Sequence, residues 1–168
     1  KLMTSGGQGG MFVSKNQEYV DAVRDYREFD LRNDSKKRFN FKMTDLQAAI
    51  GRVQLKKLPY FLKRREEIFQ YYKKSGLDLL DIDDELRRIL EPVRYRAILK
   101  TKNPRKLVSS LESVGVQSII PTEDWELLGP WKSLPNALKF SHETISIPIY
   151  PSLTKEHLDI ILSGLVIK

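Results

Sequence analysis

The sequence predicts an α/β chain of α+β-like character, a small antiparallel or mixed sheet covered by helices, and three observations predict it. Apolar residues recur at helical spacing behind capping residues in several stretches, as at Leu46, Ala49, Ile50 and Val53. Short apolar or alternating runs at 11–13, 93–101, 116–120 and 145–149 read as strands. At 168 residues, with 40% hydrophobic and 10% aromatic residues, the chain is long enough to fill one core.

In chain order, residues 1–10 form a glycine-rich loop, and Met11-Phe12-Val13 reads as a buried strand. Ser14 with Gln17 matches a capping box, which predicts a helix over 15–28 burying Tyr19, Val20 and Val23. A polar, basic segment at 32–42 leads to a second capping box, Thr44 with Gln47, and a second helix. Pro59 lacks a backbone donor and clashes with the preceding turn, so that helix is expected to end or kink near Leu58. A continuation then carries Leu62, Ile68, Phe69 and Tyr72 and stops at Gly76.

Residues 93–101 alternate, placing Val93, Tyr95, Ala97 and Leu99 on a buried face and mostly charge on the other. Asn103 and Pro104 start a helix presenting Leu107, Val108 and Leu111; Gly115 stops it before a strand at 116–120. Residues 121–140 show little periodicity and read as irregular, with room for one short helical turn. Ile145, Ile147 and Ile149 alternate as a strand ending near Pro148, and Thr154 caps a last helix built on Leu158, Ile161, Leu162 and Leu165.

Composition excludes several functions. With no cysteine there is no disulfide, thiolate nucleophile or cysteine zinc site, and His142 and His157 lie too far apart for a helical metal pair. No run of about 18 apolar residues reads as a membrane span. The first residues do not read as an export signal, so a cytoplasmic setting is expected. The balance of 29 Lys+Arg against 22 Asp+Glu gives +7, but acids interleave with the bases, as on ordinary solvated helix faces. A basic nucleic-acid-binding module, with Arg94, Arg96 and Tyr95 as its platform, is the alternative reading. It conflicts with Tyr95 sharing its strand face with Val93, Ala97 and Leu99.

The cluster Gly6-Gly7-Gln8-Gly9-Gly10 is not a nucleotide loop of the usual kinds. No Lys-Ser/Thr pair follows it, and a strand follows where the dinucleotide fingerprint requires one to precede. Read alone it is a flexible turn.

Taken together, several segments resemble the DegT/DnrJ/StrS family of sugar aminotransferases. They are Lys1 before the glycine cluster, Gly9-Gly10-Met11-Phe12-Val13, the block from Arg38 to Gly51 with Gln54 and Leu55, Arg64-Arg65, and residues 146–154. The 40–54 block is the most specific of them. The resemblance implies a fold-type-I transferase that uses pyridoxal 5'-phosphate. It divides the chain into a remnant of the large cofactor domain, 1–42 (lysine loop, strand and helix), and a C-terminal small domain, 43–168, with a long kinked linking helix at 44–75.

The same resemblance assigns Lys1 as the catalytic residue and as the amine that condenses with the cofactor aldehyde. For that the amine must be neutral, its pKa drawn down from about 10.4. Asn40 matches an asparagine that reaches the cofactor phosphate of the other subunit, and Lys42 stands where the family usually has arginine, offering a mobile point charge in place of a planar fork. Lys1, Asn40 and Lys42 are thus the implied cofactor-binding residues. Gln8 replaces a more usual acid, and Ile119-Ile120-Pro121-Thr122 stands where many members show His-Tyr-Pro.

The implied partners are a nucleotide-linked keto sugar, an amino-acid donor such as glutamate, and a second copy in a homodimer, with no nucleic acid, membrane or metal. Family members are considerably longer, so the chain alone is expected to be inactive and to expose apolar surface around Met11-Phe12-Val13 and Leu46.

Overall fold

Asn16 caps the first helix of the computed structural model, α1 (Gln17–Tyr26), by accepting a hydrogen bond from the Glu18 amide at 2.9 Å. That amide is one of the donors a first turn leaves without a partner. The expected Ser14–Gln17 box does not form, because Ser14 Oγ accepts from Asn16 N. The structure describes residues 2–130 and 133–166. Its chain divides into two units, Lys1–Leu58 and Pro59–Lys168.

In the first unit α1 buries no residue, and Tyr19 and Val23, expected in a core, are exposed. Met11-Phe12-Val13 forms no strand and Met11 is 84% exposed. An apolar run becomes a strand only where a neighbour takes up its ladder hydrogen bonds, and among the described residues none pairs with 11–13. The second helix, α2 (Asp45–Lys74), opens on the expected box: Thr44 N donates to Gln47 Oε1 at 3.1 Å, and Gln47 N donates to Thr44 Oγ1 at 3.3 Å. Pro59 neither ends it nor divides it. Its missing donor removes a single bond, and the turns on either side carry the helix across.

In the second unit α2 buries Ile68, Phe69 and Tyr72, whose spacing puts them on one face. Gly76, at φ +85°, lets the Leu77 amide return to the Tyr72 carbonyl at 3.2 Å and close the helix. After a short helix, α3 (Asp84–Arg87), strand β1 (Ala97–Lys100) pairs antiparallel with β2 (Thr144–Ile147), Ala97 opposite Ile147 and Leu99 opposite Ile145. The strand is shorter than the alternation at 93–101 predicts, and Val93 and Tyr95 are exposed. The hydrogen bonds explain this: the next bonded pair of the ladder would join Tyr95 and Ile149, but Arg65 Nη1 takes both of their carbonyls and the Tyr95 amide turns back to Val93 O.

Helix α4 (Pro104–Ser113) begins at Pro104 as expected, but Asn103 makes no side-chain cap. Residues 116–120 form only a bridge, Ile119 to Ser146, on the other edge of β2. The stretch 121–140 is more ordered than its sequence suggests, with a 3-10 turn at Asp124–Glu126 and a helix α5 (Pro135–Glu143). Pro135 at the first turn was the available signal for α5. Thr154 caps α6 (Lys155–Leu165), which buries Leu158 and Ile161.

Helix α6 packs on α4 through Gly164. A Cβ there would fall 2.8 Å from Val114 Cγ2 and 3.0 Å from Leu111 Cδ2, with Leu111 Cα already in contact at 3.4 Å, so two packed side chains would have to shift. Gly164→Ala is therefore expected to destabilise the second unit. Overpacking of about 1–3 kcal/mol outweighs the roughly 1 kcal/mol that alanine returns in helix propensity. A lowered urea midpoint with an unchanged slope is the expected result; a raised midpoint would show that the helices separate freely.

Candidate functional site

Lys1 lies outside the described residues, but the loop that follows it is held in place. Ser5 Oγ donates to the Gln8 carbonyl at 2.8 Å, and Gly6 sits at φ +75°. A Cβ at Gly6 would come within 2.8 Å of Ile50 Cδ1, and one at Gly9 within 2.9 Å of Met43 Cε. The glycines therefore serve close approach to the start of α2 as well as turning. The flexible turn read from composition is a loop seated on the 40–54 block.

Asn40 lies in an extended stretch pinned to the end of α1. Phe39 N donates to Tyr26 O at 3.0 Å and Phe41 N to Arg27 O at 3.2 Å. The Phe39 and Phe41 rings stack at 5.2 Å, and Tyr26 packs on Phe39 at 5.1 Å. The Asn40 side chain is exposed; its Oδ1 faces the Lys42 amide at 3.4 Å, and its amide nitrogen donates to no group among the described residues. Lys42 is already engaged, its Nζ 3.0 Å from Glu28 and 3.1 Å from Asp30, and these two carboxylates raise its pKa.

Arg38, assigned no role from sequence beyond heading the family-like block, bonds two carboxylates. Nε bonds Asp25 Oδ1 at 3.0 Å, while Nη1 and Nη2 take the two oxygens of Asp34 at 2.6 and 2.9 Å. These hydrogen bonds push Arg38 further up and hold both aspartates below the usual carboxylate range.

Whether these residues suit a phosphate can be judged from charge and donors. Residues 25–42 carry six basic side chains (Arg27, Arg32, Lys36, Lys37, Arg38, Lys42) against four acidic ones (Asp25, Glu28, Asp30, Asp34). Asn40 presents an uncommitted amide donor in that positive surrounding, and this fits a phosphate oxygen. Lys42 fits as a nearby charge; direct contact would require its ammonium to be shared with Glu28 and Asp30.

In the second unit the Arg64-Arg65 pair meets the 146–154 segment. Arg64 Nη2 donates to Leu153 O at 2.8 Å, Tyr72 Oη to Pro148 O at 2.8 Å, and buried Arg65 to the carbonyls of Arg94, Tyr95 and Ile149. Arg94 is not part of an exposed platform. It is 6% exposed, bonded to Glu66 at 2.6 Å and Asp81 at 2.8 Å, and its guanidinium lies 3.8 Å from the Phe69 ring centre. Arg96 spends one donor on Ser146 Oγ. Of the platform in the nucleic-acid alternative, Arg94 is thus buried, while the Arg96 guanidinium lies 5.3 Å from the centre of the exposed Tyr95 ring. Among the described residues no helix is long and apolar enough to cross a membrane, and no cluster of three or more acids or histidines is placed to hold a metal.

A two-stranded antiparallel sheet covered by helices, preceded by a long helix with a glycine loop on its first turns, is an architecture this chain shares with solved fold-type-I sugar aminotransferases. CalS13, a sugar aminotransferase from Micromonospora echinospora, superposes with a TM-score of 0.77 at 18% identity over 98% of this chain and 48% of that one. The chain belongs to the DegT/DnrJ/EryC1/StrS aminotransferase family, whose sequence profile matches residues 1–166. Aminotransferases of this family depend on pyridoxal phosphate.

Among curated relatives, the UDP-4-amino-4,6-dideoxy-N-acetyl-beta-L-altrosamine transaminase of Campylobacter jejuni (strain 81-176) is 34% identical, over 87% of this chain and 44% of its own. The spore coat polysaccharide biosynthesis protein SpsC of Bacillus subtilis is 25% identical, over 94% and 49%. The chain spans about half the length of the curated relatives it matches.

Proposed function

We propose that this chain supplies the C-terminal part of a pyridoxal-phosphate-dependent transaminase. The enzyme moves an amino group from an amino acid, glutamate in the simplest case, to a keto group on a nucleotide-linked sugar. The observation that carries the reading is the family match over residues 1–166, and the packing of the loop at Gly6 and Gly9 against Ile50 and Met43 supports it. Names of relatives, a nucleotide-sugar transaminase and a polysaccharide biosynthesis protein, support the substrate class.

When bound, the cofactor supplies an electron sink for negative charge at the amino-bearing carbon. Lys1, as the neutral amine, holds the cofactor aldehyde and later moves the proton at that carbon. Asn40 donates to a phosphate oxygen, across the interface of a homodimer, and Lys42 adds positive charge beside it. We assign residues 1–42 to the cofactor domain and 43–168 to the small domain, and the enzyme to the cytoplasm.

The test is a two-stage assay. The intact enzyme, of which this chain supplies the C-terminal part, is expected with pyridoxal phosphate and glutamate to release 2-oxoglutarate in an amount equal to bound cofactor and then to lose its amine to a nucleotide-linked keto sugar. This chain alone is expected to release none. Retention on heparin at moderate salt, with no visible cofactor band and no 2-oxoglutarate from the intact enzyme, would favour a nucleic-acid module instead.

A further inference from the structure

We infer that Arg38 is a positioning residue for Asn40, fixing the backbone that presents the phosphate-binding amide; the inference rests on the reading of Asn40 given above. Asn40 is flanked two residues away on each side by a cation held between two carboxylates, Arg38 by Asp25 and Asp34, Lys42 by Glu28 and Asp30. The acids come from the last turn of α1 and from the loop beyond it, so each pair ties the 39–41 stretch to a different part of the chain. Arg38 contributes more geometry than Lys42, since a planar fork fixes direction where an ammonium fixes only distance.

Arg38 does not itself hold an anion. Its side chain is 4% exposed, and Nε, Nη1 and Nη2 all reach the two aspartates. Its effect must pass through the segment it ties down. Next to it, the Phe39 and Phe41 amides are bonded to Tyr26 and Arg27, and their rings pack on each other and on Tyr26. Asn40, exposed between those two anchored residues, has only its own two side-chain torsions left to settle. An amide donor held in place before the anion arrives loses less freedom on binding.

The test compares affinities of the intact enzyme for pyridoxal 5'-phosphate and for pyridoxal, which lacks the phosphate, alongside hydrogen exchange at Phe39 and Phe41. Arg38→Gln is expected to release both amides to exchange and to weaken pyridoxal phosphate roughly tenfold, the size typical of a group that orients a ligand's direct contact, while leaving pyridoxal unchanged. Asn40→Ala is expected to weaken pyridoxal phosphate with both amides still protected, and the double variant to bind no more weakly than Asn40→Ala alone. Additive losses in the double variant, or lost protection with unchanged affinity, would overturn the positioning role. If Asn40→Ala leaves the preference for the phosphorylated compound intact, the reading of Asn40 fails, and the inference with it.

Discussion

Arg94→Met is expected to destabilise the 59–168 unit by about 3 kcal/mol, the lower end of what breaking a buried ion pair costs. The guanidinium is buried against Phe69 and bonded to Asp81, a carboxylate only 10% exposed, and to Glu66. Removing it strands negative charge that Lys73 and Arg87, both also on Asp81, offset in part. The lost contact with the ring adds to the deficit.

The pH dependence of that stability gives a second readout. Burial raises the Asp81 and Glu66 pKa values, but hydrogen bonds and the nearby charge of Arg94 outweigh it and leave both lowered. Depressed carboxylates contribute stability above their ordinary pKa of about 4 and lose it as pH falls through the folded values. Urea midpoints should therefore fall below pH 4 in the parent and fall less steeply in Arg94→Met. Adding Asp81→Asn to the variant should cost less than the two single changes summed. A midpoint in Arg94→Met equal to the parent's at pH 7 would mean the pair does not hold this unit together.

In the intact enzyme, Lys1→Arg is expected to cut amino transfer about 10²–10⁴-fold, the usual contribution of a positioned proton-transfer group. The substitution keeps the positive charge and much of the length. It removes the ability to become a neutral amine, because a guanidinium stays protonated in proteins. Binding by charge alone would therefore survive, whereas covalent capture of the cofactor would not. Borohydride treatment of the intact enzyme with pyridoxal phosphate, followed by peptide mapping, is expected to mark Lys1 in the parent and no residue in the variant. Label on another lysine, or transfer at the parent rate, would remove Lys1 from the chemistry.

Local rules were readable in the chain where the deciding partners lie close in sequence. The Thr44–Gln47 box, Pro104 opening α4, the stops at Gly76 and Gly115 and the Thr154 cap all rest on neighbours within a few residues. Readings failed where the partner is distant. Met11-Phe12-Val13 looked like a strand and has no ladder, and residues 93–95 look like the start of one but lose the Tyr95 carbonyl to Arg65 and the Tyr95 amide to Val93.

The site divides in the same way. Asn40 and Lys42 are visible because they fall in a motif, and the glycine cluster is visible as composition. That the glycines allow close approach to Ile50 and Met43, and that Arg38 is consumed by two aspartates, are visible only in the folded chain. A basic residue among basic residues carries no mark of the acids it will meet.

By itself the sequence determined the family, the longer helices and the Thr44–Gln47 and Thr154 caps, because hydrogen bonds between near neighbours and the periodicity of apolar residues act within one or two turns. Only the tertiary structure decided the strand ends, the burial of Arg94 and the staples on either side of Asn40. Each depends on bringing together charges or backbone groups from separate parts of the chain, and a linear pattern does not record which of them will meet.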